Sequence, residues 1–238
     1  MSEPRLTINC EAIVLYRRKR KTYSIVTLLT KQRGLISCSI PQRRWQTLKN
    51  VGYLQPFSKV YITLSPNGEY YDLQQIDGVY LIRAIESDLD SICYASFGGE
   101  LISTAFAQEE LDLGLYELVE RFSKLIQTKP VPLAVILLGW QLLSIAGFVP
   151  APKAYKQAHG VDRFVAEFTG STGFNLSRQA QAALGEVLNY NWDPQLVVQL
   201  PRSLWLELER GLFAYATVQL GQELSSLRFL RDMQAKAF

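Results

Sequence analysis

Histidine is almost missing from this chain: His159 is the only one among 238 residues. That excludes zinc sites built on histidine, and any catalytic triad not centred on that position. Cysteine is scarce and odd in number. Cys10, Cys38 and Cys93 lie far apart, at no metal-binding or disulfide spacing, which predicts buried thiols in a reducing cytosol. No apolar run reaches membrane length. The longest, "LAVILLGWQLLSIAG" (Leu133 to Gly147), has fifteen residues, whereas a bilayer needs about 20, so it predicts a buried helix and no membrane partner. The opening "MSEPRLTINC" lacks the charged start and apolar middle of a signal peptide. Internal repeats and low-complexity tracts are also lacking.

What is present is an ordinary folded composition, 48% hydrophobic and 20% charged, enough to bury a core. The net charge of +3 hides an asymmetry. Residues 1–80 hold twelve Lys/Arg against five Asp/Glu, net +7, and the remainder holds thirteen against seventeen, net −4. A basic front joined to an acidic scaffold is the charge signature of a nucleic-acid-binding module. The densest feature is five consecutive cations, Arg17, Arg18, Lys19, Arg20 and Lys21.

The periodicity divides the chain near residue 80. "CEAIVLY" (Cys10 to Tyr16), "YSIVTLLT" (Tyr23 to Thr30), "LISCSI" (Leu35 to Ile40), "FSKVYITL" (Phe57 to Leu64) and "YYDLQQI" (Tyr70 to Ile76) read as short strands. Gly34 can take the positive φ of a tight turn, and "SPNGE" supplies Asn-Gly turn chemistry. Five strands in about seventy residues predict a small barrel of the OB type. Beyond residue 80 the period is helical. "LYELVERFSKLI" carries one apolar stripe, with Glu117, Glu120, Arg121 and Lys124 outside it. The Leu133–Ala146 run lacks a polar face and belongs at the centre of a bundle, with Gly147 ending it. Ser177 is a candidate cap for "LSRQAQAALGEVL". Two more helices are expected, about 203–220 and 222–233, while 150–176 reads as a loop. The expected fold is α+β: an OB-fold-like barrel over 1–80, then an all-α bundle over 81–238 with a loop-like insertion at about 150–176.

The order of these features resembles the RecO family of bacterial DNA repair and recombination mediators. "AIVL…YSIVTLLTKQRGLIS", "LQPFSKVYITL" with its Pro56–Phe57 entry, "LLGWQLLSIAGFVP" and "LFAYATVQLGQELSSLRFLRDM" carry the likeness, over roughly 10–150 and 175–235. Many members bind zinc through four cysteines after the glycine-aromatic-x-proline exit; "APKAYKQAHGVDRFVAEFTGSTGFNLS" holds none. The resemblance therefore implies a degenerate subdomain without metal, folded or reduced to a loop. "QELSSL" also departs from the basic residues expected before the last helix. The resemblance further implies a non-enzymatic, nucleoid-associated cytoplasmic protein without cofactor or ATP. Its barrel would bind single-stranded and double-stranded DNA, anneal strands and assist recombinase loading. Its helical part would dock the acidic tail of the single-stranded DNA-binding protein and a RecR-like ring protein.

On that reading Arg17–Lys21 project from an exposed hairpin loop. Lys31 and Arg33 sit in a second turn, and Arg43 and Arg44 follow the third strand beside Trp45. Phosphate rewards such clustering because each neutralised phosphate releases condensed counterions, and arginine's planar fork suits phosphate oxygens. Tyr16, Tyr23, Trp45, Tyr53 and Tyr61 are the aromatics near those cations, as base-stacking platforms or as packing residues. The plainer alternative is a solvated loop that keeps a strand edge from pairing.

Enzymatic constellations are weak. "TGSTG" lacks the Gly-Lys-Ser/Thr ending of a phosphate loop and reads as a turn. "SFGGE" reads as a helix where two helices approach closely. Glu109, Glu110 and Asp112 have no third ligand type beside them, and His159 reads as a surface residue with no relay to Asp162. The rival functions are a non-catalytic adaptor acting through the bundle, and an RNA-binding barrel, since phosphate contacts alone do not separate DNA from RNA.

Overall fold

A computed structural model describes residues 7–236 except 158, 194 and 197; residues 1–6 of the expected barrel segment lie outside the described residues. Five strands, β1 (Ile8–Lys19), β2 (Tyr23–Thr30), β3 (Gly34–Pro41), β4 (Lys59–Asn67) and β5 (Tyr70–Tyr80), are followed by helices. A short α1 (Gln42–Trp45) follows β3. The rest are α2 (Leu89–Ala105), α3 (Leu113–Leu125), α4 (Val131–Ile145), α5 (Asp162–Thr172), α6 (Arg178–Asn189), α7 (Arg202–Leu220) and α8 (Ser225–Lys236).

The strands close in the order β1-β2-β3-β5-β4, with β4 returning to β1. Pairing is antiparallel except at the seam, where Cys38 and Ser39 of β3 run parallel to Tyr71 and Asp72 of β5. This is the five-stranded Greek-key barrel expected from the sequence. Gly34 makes the β2–β3 turn at φ +64° and Gly68 the β4–β5 turn at +62°, a backbone region that glycine enters at little cost.

The first three strands are apolar on both faces. Ala12, Val14, Val26, Leu28, Ile36, Cys38 and Ile40 fill the barrel. Ile13, Leu15, Leu29 and Leu35, on the alternate face, join the core of the helices. Such strands read as continuous hydrophobic runs because neither face meets water. A bulge interrupts β1: Val14 pairs with Leu28, but Tyr16, not Leu15, pairs with Thr27. Leu15 and Tyr16 thus both turn to the helical side, and the facing of every later residue in the strand is inverted.

Helix α2 seats against this bulge. A Cβ at Gly99 would overlap the Leu15 carbonyl, and one at Gly98 would press on the Phe57 ring. Gly99 therefore serves contact between helix and barrel, while Gly98 also lies against Val135 of α4, the close helix approach expected from the sequence. Phe57 adopts φ +63°, which costs a non-glycine residue about 1–3 kcal/mol. Its ring is fully buried and meets Phe122 edge-on at 4.6 Å; burying such a ring contributes about 1.5–3 kcal/mol. Its amide donates to the Val14 carbonyl.

Helix α4 lies at the centre as expected, with Val135, Leu138, Trp140, Leu142 and Leu143 fully buried and Gly147 beyond its end at φ +82°. The Ser177 hydroxyl caps α6 through the Ala180 amide at 3.1 Å. The 150–176 segment is not loop-like. A 3-10 turn at Pro152–Lys156 precedes α5, whose Phe164 and Phe168 are buried against Trp140 and Tyr215. "TGSTG" closes α5, and Gly173 at φ +68° ends it. Two aromatics one helical turn apart are enough to fasten this segment.

Candidate nucleic-acid interface

Strand β1 continues further than the hairpin reading requires. Its ladder with β2 runs through Arg17↔Val26, Arg18↔Ile25 and Lys19↔Ser24. The Arg20 amide still bonds the Tyr23 carbonyl at 2.8 Å. Arg17, Arg18 and Lys19 therefore lie inside a strand, and only Arg20 and Lys21 belong to the turn. Extended backbone separates what sequence proximity suggests is one cluster, because neighbours on a strand point to opposite faces.

Cross-strand partners share a face, which fixes the sorting. Val26 lies inside the barrel, so Arg17 points to the barrel mouth. Ser24 pairs with Ile40, also interior, so Lys19 points the same way. Arg18, opposite Ile25, and Arg20, opposite Tyr23, occupy the outer face. Tyr16 lies on that face too, packed on the helical core. Burial raises its phenol, buried Glu100 adds to the rise, and the neighbouring Arg18 works against both.

The mouth is stoppered by Trp45 from α1, which packs on the barrel core. The Arg17 guanidinium stacks on this indole at 3.6 Å, and its partial burial lowers its pKa. The Gln42 amide donates to the Thr22 carbonyl at 2.9 Å, so α1 is tied to the β1–β2 turn. Arg43 is exposed there. Arg44 is committed elsewhere: its guanidinium donates to the carbonyl and the side-chain oxygen of Gln74, at 3.0 and 3.1 Å.

Lys31 and Arg33 occupy the β2–β3 turn, at the opposite end of β2 from the run. Their surroundings are acidic or phenolic. Lys31 is near enough to Glu11 to help lower its pKa, and Arg33 acts on Tyr71, whose hydroxyl donates to Glu109 at 2.7 Å. The ten expected site residues thus form one assembly, Arg17–Lys21 with Arg43, Arg44 and Trp45, and one separate pair.

Within that assembly the charge is uncompensated. The chain has no Asp or Glu between Glu11 and Glu69. Among the described residues, no ion pair involves Arg17–Lys21, Arg43 or Arg44, whereas Lys59 is bound by Glu11 at 2.9 Å and Glu120 at 2.7 Å. Of the five aromatics, Tyr23 alone is exposed at the hairpin end. Trp45 is covered by Arg17, Tyr53 lies over Gly78, and exposed Tyr61 sits beside Cys10, Gln32 and Asp77 away from the run.

The remaining polar groups have structural partners. Asp112 caps α3 through the Leu115 amide at 2.9 Å. His159 is exposed and meets Asp162 at 2.5 Å, a surface contact. Among the described residues, no group of three or more His, Cys, Asp and Glu is placed to hold a metal. Among the described residues, no helix is long and apolar enough to cross a membrane.

Residues 1–82 match the family model for the recombination protein O N terminal, a span that ends just beyond β5. Across 238 aligned residues the chain is 24% identical to a DNA repair protein RecO of Desulforudis audaxviator (strain MP104C), covering 94% of this chain and 96% of that protein. The chain is thus similar to RecO proteins, through its barrel segment by the family model and along most of its length by this relative. The segment after Pro150, expected as a metal-free degenerate subdomain, is held by the buried phenylalanines of α5. A sequence signal for this existed: Phe164 and Phe168 are four residues apart, the spacing of one helix face.

Proposed function

We propose that this chain is a RecO-type DNA repair and homologous recombination mediator that binds DNA phosphates at the hairpin end of its barrel. Residues 1–80 form the binding module and 81–238 the scaffold. The observation that carries this reading is the unpaired charge: four exposed cations, Arg18, Lys19, Arg20 and Lys21, project from a hairpin without a carboxylate partner among the described residues. Like charges held together repel, and a polyanion relieves that repulsion while releasing its own counterions. Exposed Tyr23 adds a face on which an unpaired base can stack, worth about 1–3 kcal/mol.

Single-stranded DNA fits this surface, and duplex DNA is bound through the same phosphate chemistry. Annealing then needs no reacting group, since screening the repulsion between two strands lowers the barrier to their meeting. The helical scaffold receives the acidic tail of the single-stranded DNA-binding protein and a RecR-like ring protein, and recombinase loading follows from that assembly. The protein works at the nucleoid, in the cytoplasm.

The test is oligonucleotide affinity across salt concentrations. Changing Arg18, Lys19, Arg20 and Lys21 together to serine is expected to reduce the single-strand salt slope by about 3, at roughly 0.7 per lost phosphate contact. An unchanged slope in the folded variant refutes the reading. Competition with a matched RNA strand separates the RNA-binding alternative.

A further inference from the structure

Resting on the DNA-binding reading above, we propose that the β1–β2 hairpin holds two single strands of DNA at once, one on each face, and so divides two strands as they pair ahead of its tip. The β1 bulge makes this division. It turns Leu15 and Tyr16 to one side together, so that Arg17 and Lys19 face the barrel mouth while Arg18 and Arg20 face outward. Without the bulge the same five cations would still alternate, but on exchanged sides. Arginine-rich Arg18 and Arg20 would then meet the stoppered mouth.

The two faces differ in chemistry. The outer face sets Arg18 and Arg20 beside exposed Tyr23 and half-buried Tyr16. Guanidinium forks alternating with aromatic rings suit a strand whose bases are unstacked. Glu100, the carboxylate acting on Tyr16, is fully engaged, accepting from the Ser225 and Ser226 amides and the Ser226 hydroxyl. The outer cations thus keep their charge available. On the mouth face the single aromatic, Trp45, is already covered by Arg17 at 3.6 Å. That face offers charge without a free ring, through Lys19 with exposed Arg43 on the same short helix as Trp45, and it suits backbone phosphates whatever the base.

A two-stranded ribbon between the sites is about 10 Å thick, the spacing of packed sheets. That is close to the Debye length of about 8–10 Å at ordinary ionic strength. Two DNA backbones on opposite faces are therefore separated by a layer of cations, and their mutual repulsion is screened where the strands converge at Arg20 and Lys21. This places annealing at the tip, with each strand still held behind it.

The experiment uses the full chain and two short non-complementary oligonucleotides carrying a donor and an acceptor dye, titrated well above their dissociation constants. The wild type is expected to bind two strands per chain and give energy transfer between them. Arg18→Ser with Arg20→Ser, or Lys19→Ser with Arg43→Ser, is expected to reduce this to one strand per chain, with energy transfer and annealing lost in both cases. Circular dichroism checks that the variants fold; Arg18→Lys with Arg20→Lys should restore the second strand. One strand per chain in the wild type, or both variant pairs weakening a single site to the same degree, overturns the two-strand inference and leaves the DNA-binding reading standing. No binding by the wild type overturns both.

Discussion

Gly99 of α2 lies directly against the carbonyl of Leu15, the residue at which β1 bulges. A glycine in the helical layer thereby supports the backbone irregularity that sorts the cations of the hairpin. Gly99→Ala would force the helix off the strand, and overpacking of this kind costs about 1–3 kcal/mol. Chemical denaturation should register that loss. Hydrogen exchange should also rise at Tyr16 and Arg17, where the ladder resumes after the bulge.

Arg17 is expected to act differently from its neighbours. Its guanidinium lies on Trp45, a contact worth about 0.5–1 kcal/mol at a partly exposed site. Arg17→Leu should change tryptophan fluorescence and lower stability by that order. It should reduce the salt slope of DNA binding less than Lys19→Ser does. An equal or larger reduction would show Arg17 to be a direct phosphate ligand.

Glu100 is buried in α2 and caps α8 from a distance of 125 residues in sequence, accepting the Ser225 amide at 3.2 Å and the Ser226 amide at 2.8 Å. A negative charge at a helix amino terminus satisfies free amides and complements the helix dipole. Glu100→Ala leaves buried donors unpaired, which costs about 1–3 kcal/mol. Faster exchange confined first to α8 is the expected signature, seen by hydrogen-exchange mass spectrometry.

Acid should loosen the joint between barrel and bundle. Lys59 of β4 bridges Glu11 of β1 and Glu120 of α3. Its hydrogen bonds, with that of Tyr61, hold Glu11 below its ordinary value. For Glu120, burial works upward but is outweighed by Lys59 and Lys124. Both carboxyls are depressed, so their contribution is complete above the unfolded value of 4.5 and lost as pH falls through the lower folded values. The urea midpoint of the wild type should therefore fall from about pH 5 to 3, and that of Lys59→Met should fall less.

Glu209 of α7 has the opposite sign. Burial raises its carboxyl, although the hydrogen bond from Tyr94 opposes the rise. A raised folded value means stability present below the unfolded value and lost as pH climbs through the folded one. Glu209→Gln keeps an acceptor for Tyr94 and removes the charge. It should raise the denaturation midpoint at pH 7 and match the wild type at low pH.

Much of this molecule was legible from local pattern. The five strands, the buried run of α4, the Ser177 cap and the turn glycines each depend on a few adjacent residues, and they appear where the sequence puts them. What was misread depends on partners far away in the chain. "SFGGE" reads as helix packing, which holds for Gly98 against Val135, but the partner of Gly99, the carbonyl of Leu15, is 84 positions distant. "TGSTG" looks like a turn because glycine and threonine are weak helix formers, yet Phe164 and Phe168 anchor the helix it completes. Glu100 could not be recognised as a cap, since its helix begins 125 residues later.

The sequence alone determined that eleven of this chain's cations fall in a stretch without carboxylates, and that the short apolar segments there build a small barrel. Composition and period are enough for both, because burial and charge repulsion act on any chain with that pattern. Which cations share a face was decided only in three dimensions. One extra residue in β1, supported by a glycine from another layer, inverts the facing of all that follow, and no local preference in "YRRKRK" encodes that inversion.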